Sequence, residues 1–138
     1  MASLIYNSFW DDVSRALLDV DGSTFKMMLV TSGYVPDKDT HTKRSDVTNE
    51  VAATGNYSTG GQTVACTVTK DTTNDRIVFT FAETTWANST ITARGAVIYQ
   101  NVGSASTDRL VAYNDFGVNV NSTAASFIVQ QGTITLQN

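Results

Sequence analysis

The sequence contains very few of the side chains on which metal sites and catalytic sites depend. Its 138 residues include a single histidine, His41, and a single cysteine, Cys66. A protein metal site needs several ligands at a suitable spacing, and one histidine with one distant cysteine does not supply them. A lone cysteine also excludes an internal disulfide. We therefore predict no cofactor, no metal and no catalytic residue, with His41 in a solvated loop and Cys66 as a small buried side chain.

Charged residues are also sparse, at 16% of the chain, with a net charge of −4. The nine basic residues are scattered singly, apart from Lys43 and Arg44, so the phosphate-binding cluster of a nucleic-acid-binding protein is missing. No apolar run approaches the length of about 20 residues that a membrane-spanning helix needs. The first residues lack the basic start and apolar run of a secretion signal. We expect a protein made in a reducing cytoplasm that binds neither nucleic acid nor membranes.

In place of charge, Thr, Ser and Asn make up about a third of the chain, and there is only one proline. Threonine is β-branched and suits strands, whereas asparagine and serine suit turns. Apolar residues alternate with polar ones in several short segments separated by turn residues. This pattern predicts a mainly β fold, an antiparallel sandwich or barrel-like domain of about seven strands. The expected strands lie near residues 25–31, 62–69, 76–81, 86–100, 109–116, 126–129 and 133–137.

One helix is predicted before the strands. Within residues 4–18, apolar side chains recur every four positions from Ile5 to Leu17, and Ser3 is a suitable N-cap. Such an amphipathic helix either covers one side of the β core or binds a partner protein.

The organisation that we predict is a single domain over 1–138, with the helix and a turn in 1–22. The β domain follows in 23–138 and includes a long loop, 32–61. A loop of that length inside a small domain usually has a function or is supported by a partner.

Arg94 lies in the middle of the strand expected at residues 86–100, which begins with Trp86. Strict alternation places Arg94 on a face with Thr92 and Ala96, and no histidine, nucleophile or phosphate loop accompanies it. We therefore predict a structural role for Trp86 and Arg94. The guanidinium would bind backbone carbonyls or a carboxylate such as Glu50 or Asp115, and would tie the sheet to its long loop.

Four segments, in this order, resemble a family of small tailed-bacteriophage proteins that are often encoded near head and tail genes. They are FKMMLVTSGYVPDKDTHT (25–42), SDVTNEVAATGNYSTGGQTV (45–64), TWANSTITARGAVIYQ (85–100) and LVAYNDFG (110–117). The resemblance covers residues 25–117 and is looser in the leading helix. Members of this family often carry an aromatic residue at the position of Gly95, so side-chain packing there is expected to differ.

The resemblance implies a virion structural protein, and a capsid decoration (cement) protein is the leading expectation. Many copies would bridge neighbouring major capsid subunits on the outer head surface, as homo-oligomers for which a trimer is our guess. The partner-binding side chains would be Phe9 and Trp10 of the helix and Tyr34 and Tyr57 of the loop, because aromatic side chains are effective anchors.

Two alternatives stay open from the sequence. One is a head–tail connector, neck or tail component of the same virion. The other is a receptor- or glycan-binding β module, in which Tyr34, Tyr57 and Trp86 would be exposed and would stack on the ligand.

Overall fold

The computed structural model of the protein describes residues 2–138 and contains one α-helix and eight strands. The helix, α1, comprises Asn7–Ser14, and a short 3₁₀ helix comprises Arg44–Asp46. The strands are β1 (Leu4–Ile5), β2 (Phe25–Val30), β3 (Gln62–Val64), β4 (Cys66–Asp71), β5 (Arg76–Phe81), β6 (Thr84–Gln100), β7 (Arg109–Val129) and β8 (Gly132–Gln137).

The strands form two antiparallel sheets that pack as a sandwich. The larger sheet has the order β1-β7-β6-β2-β3, and the smaller sheet has the order β4-β5-β8. Neither sheet closes on itself within residues 2–138, so the fold is sandwich-like and the barrel alternative is not realised. The prediction of a mainly β, antiparallel fold is confirmed, with eight strands instead of about seven.

The larger sheet is buried on both faces along β2. On one face, Phe25, Met27 and Leu29 belong to the core that it shares with the smaller sheet. On the other face, Met28 and Val30 belong to a second apolar cluster. Residues of the long loop, including Tyr34 and Val47, pack in that second cluster and cover the sheet. A continuous apolar strand is the pattern that burial on both faces requires.

The helix is shorter than the pattern over residues 4–18 predicts. Leu4 and Ile5 pair with Tyr113 and Ala112 of β7, so the segment begins as an edge strand. The helix then starts after Tyr6 instead of after Ser3. It ends at Ser14, and Ala16 adopts a positive φ of 58° that closes the last turn. Beyond Ser14 the helical periodicity does not hold, because Leu17, the next residue of the pattern, is 50% exposed and Leu18 is the buried side chain.

The strands β6 and β7 form one long hairpin, and the prediction of separate strands at 109–116 and 126–129 is wrong, because β7 continues from Arg109 to Val129. Residues 116–119 form a bulge between the pairs Gly95–Asp115 and Ala93–Val120, after which the same strand continues. Gly117 supplies a positive φ of 81° within this bulge. The alternation of apolar and polar residues did not indicate the bulge, because the bulge interrupts the pairing with β6 without ending β7.

The same bulge also overturns the predicted face of Arg94. Ile91 and Ala93 share the inter-sheet core with Ala96 and Ile98, whereas Val97 belongs to the cluster under the long loop. The inward face therefore changes parity at Arg94. Strict alternation cannot describe a strand through an irregularity of this kind, since one additional residue moves every later side chain to the other face.

Candidate interaction surface

Arg94 forms an ion pair within the hairpin. Its Nε donates to Asp115 Oδ1 at 2.8 Å, and the Asp115 side chain is almost fully buried. The Arg94 guanidinium and the N–H of Gly117 together hold the pKa of the Asp115 carboxyl below its usual range. The pair joins β6 to β7 at the bulge. The sequence hypothesis offered Glu50 or Asp115, and its conclusion that Arg94 ties the sheet to the long loop is wrong.

Glu50 fastens the long loop through a different set of contacts. Its carboxylate accepts hydrogen bonds from the Tyr57 hydroxyl at 2.8 Å and from the N–H of Gly60. The same Tyr57 oxygen accepts the N–H of Leu29 in β2 at 2.9 Å. A second loop contact runs from the Tyr99 hydroxyl of β6 to the Gly60 carbonyl. Glu50 and Tyr57 therefore bind the loop to the larger sheet.

A buried ion pair that sequence analysis did not find adds to this attachment. Arg44 Nε donates to Asp108 Oδ2 at 2.8 Å, and Arg44 also lies over the Tyr99 ring at 5.2 Å. The Asp108 side chain is fully buried and accepts the N–H groups of Val102 and Gly103. Because 64 residues separate Arg44 from Asp108, no local pattern in the sequence could indicate the pair.

The aromatic side chains predicted to bind a partner are mostly in the interior. Phe9 and Tyr57 belong to the inter-sheet core, and Tyr34 lies in the cluster under the loop. Trp86 is also buried in the core, in keeping with its predicted structural role. Trp10 is the exception, because it packs at the edge of the core and stays partly exposed. The prediction of Phe9, Tyr34 and Tyr57 as anchors is therefore wrong, since this protein's own fold covers them.

His41 and Cys66 are both partly buried. His41 Nδ1 lies 3.0 Å from the Tyr34 hydroxyl and its ring stacks on Tyr34, so it is half-buried, not simply solvated. Cys66 is half-buried, and burial followed by the charge of Asp21 raises the pKa of its thiol to about 11. Within residues 2–138 no group of three or more His, Cys, Asp or Glu side chains could hold a metal ion. No helix in the same range is long and apolar enough to cross a membrane.

The most distinctive feature of the surface follows from the positions of the charged residues in the sequence. All nine basic and all thirteen acidic residues occur at or before Asp115, so residues 116–138 contain none. This uncharged surface comprises the outer part of β7 and all of β8. It exposes large apolar side chains, namely Val118, Val120, Ile128 and Leu136. Exposed apolar side chains on an uncharged strand are typical of a surface that contacts another protein.

A groove opens beside the uncharged surface, between the β1 edge of one sheet and the β8 edge of the other. Its volume is about 540 Å³. Its apolar lining includes Leu4, Ile5, Phe81, Ile98 and Ile134. The sandwich is therefore open on this side, and buried core residues such as Phe81 and Ile134 line the groove.

Comparison of the chain with protein-family models, with curated proteins and with solved structures gave no match.

Proposed function

We propose that this protein is a structural component of a tailed-phage virion, a decoration protein that binds the outside of the head. The observation that carries the proposal is the uncharged surface of residues 116–138. Four segments resemble, in the same order, segments of small virion proteins, and this resemblance is the reason that we propose a phage virion as the assembly.

The uncharged surface suits a protein that is packed densely against others. A decoration protein lies beside many copies of itself and of the capsid subunit, and charged strands in such contacts repel or require desolvation. Neutral Thr, Asn and Ser side chains avoid both costs and can hydrogen-bond to a flat protein surface. The chain's acidic residues all lie outside this surface, and most of them, though not Asp12, Asp108 and Asp115, are exposed or half-exposed to solvent.

The position outside the head follows from charge. The net charge is −4, and the interior of a filled head holds polyanionic DNA. An acidic protein is repelled from that interior, so the outer head surface is the favoured location. A neck or tail position is the second location within the same virion.

The exposed part of β7 is the surface that we assign to the capsid subunit. Val118 and Val120 are 63% and 38% exposed and lie on the outer stretch of the hairpin. Trp10, on the partly exposed side of the helix, is the one predicted aromatic anchor that the fold leaves accessible.

The test is addition of purified protein to expanded phage heads that lack it. We expect the protein to sediment with the heads and to raise the temperature at which they disrupt. A Val118→Lys/Val120→Lys double variant should lose cosedimentation, whereas Thr72→Lys, at an exposed turn position, should keep it. Binding to tails alone would reject decoration in favour of a tail component, and binding to neither would reject the virion role.

The glycan-binding alternative loses its structural basis. It requires exposed aromatic rings for stacking, whereas Tyr34, Tyr57 and Trp86 are all nearly inaccessible. No observation favours it over the virion role.

A further inference from the structure

The outer edge of β8 lacks the features by which proteins usually prevent strands from pairing with other chains. Charges, prolines, bulges and very short length are the usual protections of an edge strand. β8 has six residues, no charge, no proline and an uninterrupted register with β5. The opposite edge of the same sheet, β4, ends in Lys70 and Asp71. β8 is therefore the unprotected edge of the smaller sheet.

The hydrogen bonding of β5 shows which backbone groups of β8 point outward. The N–H of Asn138 donates to the carbonyl of Asp75, so even-numbered residues of β8 face β5. In an antiparallel ladder the intervening residues direct their N–H and C=O groups to the other side. These residues are Thr133, Thr135 and Gln137, and no strand of residues 2–138 pairs with them.

The side chains of the same strand add an apolar element. Ile134 is buried and lines the groove, and Leu136, on the same face of the strand, is 50% exposed. Side chains two residues apart point to one side of a sheet. Leu136 therefore continues the face of Ile134 past the end of the covered core, and it lines a second depression together with Lys70, Asp71 and Arg76 of the neighbouring strands.

We propose that β8 pairs antiparallel with β8 of a second copy, around a two-fold axis at Thr135. Outward-facing residues must oppose one another, so Thr135 faces Thr135 of the second copy and Thr133 faces Gln137. This register forms about six hydrogen bonds, within the range found in stable interfaces. The two three-stranded sheets become one six-stranded sheet across the axis.

The absence of charge on β8 and the apolar groove beside it favour a second copy of this chain as the partner of β8. Pairing a strand with itself brings identical side chains close together, which costs nothing here because β8 has no charge. In the same register Leu136 of each copy lies opposite Ile134 of the other. Each Leu136 then enters the mouth of the neighbouring groove and loses its exposure to water. The proposed pairing thus forms hydrogen bonds along the open edge of β8, fills the mouth of the groove and buries Leu136.

The pairing is isologous, so it predicts a dimer or an even multiple, in contrast to the trimer guessed from the family resemblance. A trimer would instead need β8 of one copy to pair with a different edge of the next copy. The proposal concerns the purified protein alone and does not depend on the virion role.

The first experiment compares two proline variants by sedimentation-velocity centrifugation. Thr135→Pro removes an outward N–H that the fold does not use. Lys70→Pro is the matched control, since the bond from Ala82 N–H to the Ala65 carbonyl shows that Lys70 also faces outward on β4. We expect the wild type and Lys70→Pro to dimerise, and Thr135→Pro to be a folded monomer by circular dichroism.

The second experiment tests the register. Thr135→Lys and Thr135→Asp each place like charges face to face, so each variant alone should be at least tenfold weaker in dimerisation. An equimolar mixture should recover a heterodimer, because the opposite charges then meet across the axis. Only a residue that opposes itself gives this pattern.

Four outcomes would overturn the proposal. The first is a monomeric wild type at millimolar concentration, and the second is a trimer. The third is loss of association in Thr135→Pro and Lys70→Pro alike, which would indicate pairing between β8 and β4. The fourth is failure of the mixed charge variants to associate.

Discussion

Arg44 and Asp108 form a buried ion pair that fastens the long loop to the turn between the two longest strands. The distance from Arg44 Nε to Asp108 Oδ2 is 2.8 Å, and the side chains are 20% and 0% exposed. A charge buried in this way is stable only while its partner and hydrogen-bond donors are present. The pair is therefore a point at which the stability of the fold can be tested.

Replacing Arg44 by methionine should destabilise the protein by about 2–4 kcal/mol, since the Asp108 carboxylate stays buried without its counter-charge. The free energy of unfolding can be measured with urea by tryptophan fluorescence, because Trp10 and Trp86 both contact the core. Lys38→Met is the control, because Lys38 pairs with Asp39 at the surface and such pairs contribute little. Equal stability of Arg44→Met and wild type would contradict the assigned role of the pair.

Acid should destabilise the protein through Asp108. Burial acts to raise the pKa of this carboxyl, but the Val102 N–H, the Arg44 guanidinium and the Gly103 N–H outweigh it and hold the pKa below the usual range. The folded state then binds fewer protons than the unfolded state around the ordinary carboxyl pKa of about 3.9. The contribution of Asp108 to the free energy of unfolding is complete above the unfolded-state pKa and is lost as the pH falls through the lower pKa of the folded state.

Urea unfolding at a series of pH values tests this sign. The free energy of unfolding of the wild type should change little between about pH 7 and pH 5 and should fall below about pH 4. Asp108→Asn should be less stable at neutral pH and should lose less on acidification. An identical pH slope for the variant and the wild type would show that Asp108 does not contribute.

Two tyrosines with buried hydroxyls should respond oppositely to replacement by phenylalanine. Tyr57→Phe leaves the Leu29 N–H without its acceptor and removes one of the two donors to Glu50, and should cost about 1–3 kcal/mol. The Tyr113 hydroxyl is buried with no hydrogen-bond partner among the described residues, so Tyr113→Phe should be neutral or slightly stabilising. Thermal unfolding followed by circular dichroism distinguishes the two. A larger loss in Tyr113→Phe than in Tyr57→Phe would contradict this assignment.

Gly95 should not tolerate a side chain, because the ring of Tyr113 fills that space. A Cβ atom at position 95 would lie 2.6 Å from the Tyr113 hydroxyl oxygen and closer still to a ring carbon. Gly95→Ala should therefore destabilise by about 1–3 kcal/mol. Gly132→Ala is the control, because nothing lies within 4 Å of its added Cβ.

Features encoded by local alternation of side chains were predictable from the sequence. The period of two in residues 62–81 predicts strands at 62–69 and 76–81, and the structure confirms the pairing of β4 with β5. The first of the two is divided at Ala65, because residues 62–64 form β3 in the larger sheet and β4 belongs to the smaller one. The apolar run of β2 is likewise the pattern of a strand that is buried on both faces, as observed. These patterns are readable because each residue's burial follows from its place in a regular strand.

Features that depend on distant partners were not predictable in this way. Leu4 and Ile5 have helical periodicity but become a strand because an edge of β7 is open to them. The bulge at residues 116–119 reverses the faces of β6 without any change in local composition. Tyr34 and Tyr57 looked like exposed loop aromatics, and only the folding of the loop over the sheet buries them.

The candidate interaction surface was likewise predictable from the sequence only in part, and the tertiary structure decided the rest. The sequence by itself determined that residues 116–138 carry no charge and that β8 is a neutral, β-branched segment. Only the tertiary structure decided that β8 lies at a sheet edge, beside an open groove, with Thr135 facing outward. Composition is a property of the chain, whereas a strand is an unpaired edge only once the other strands of the fold have paired.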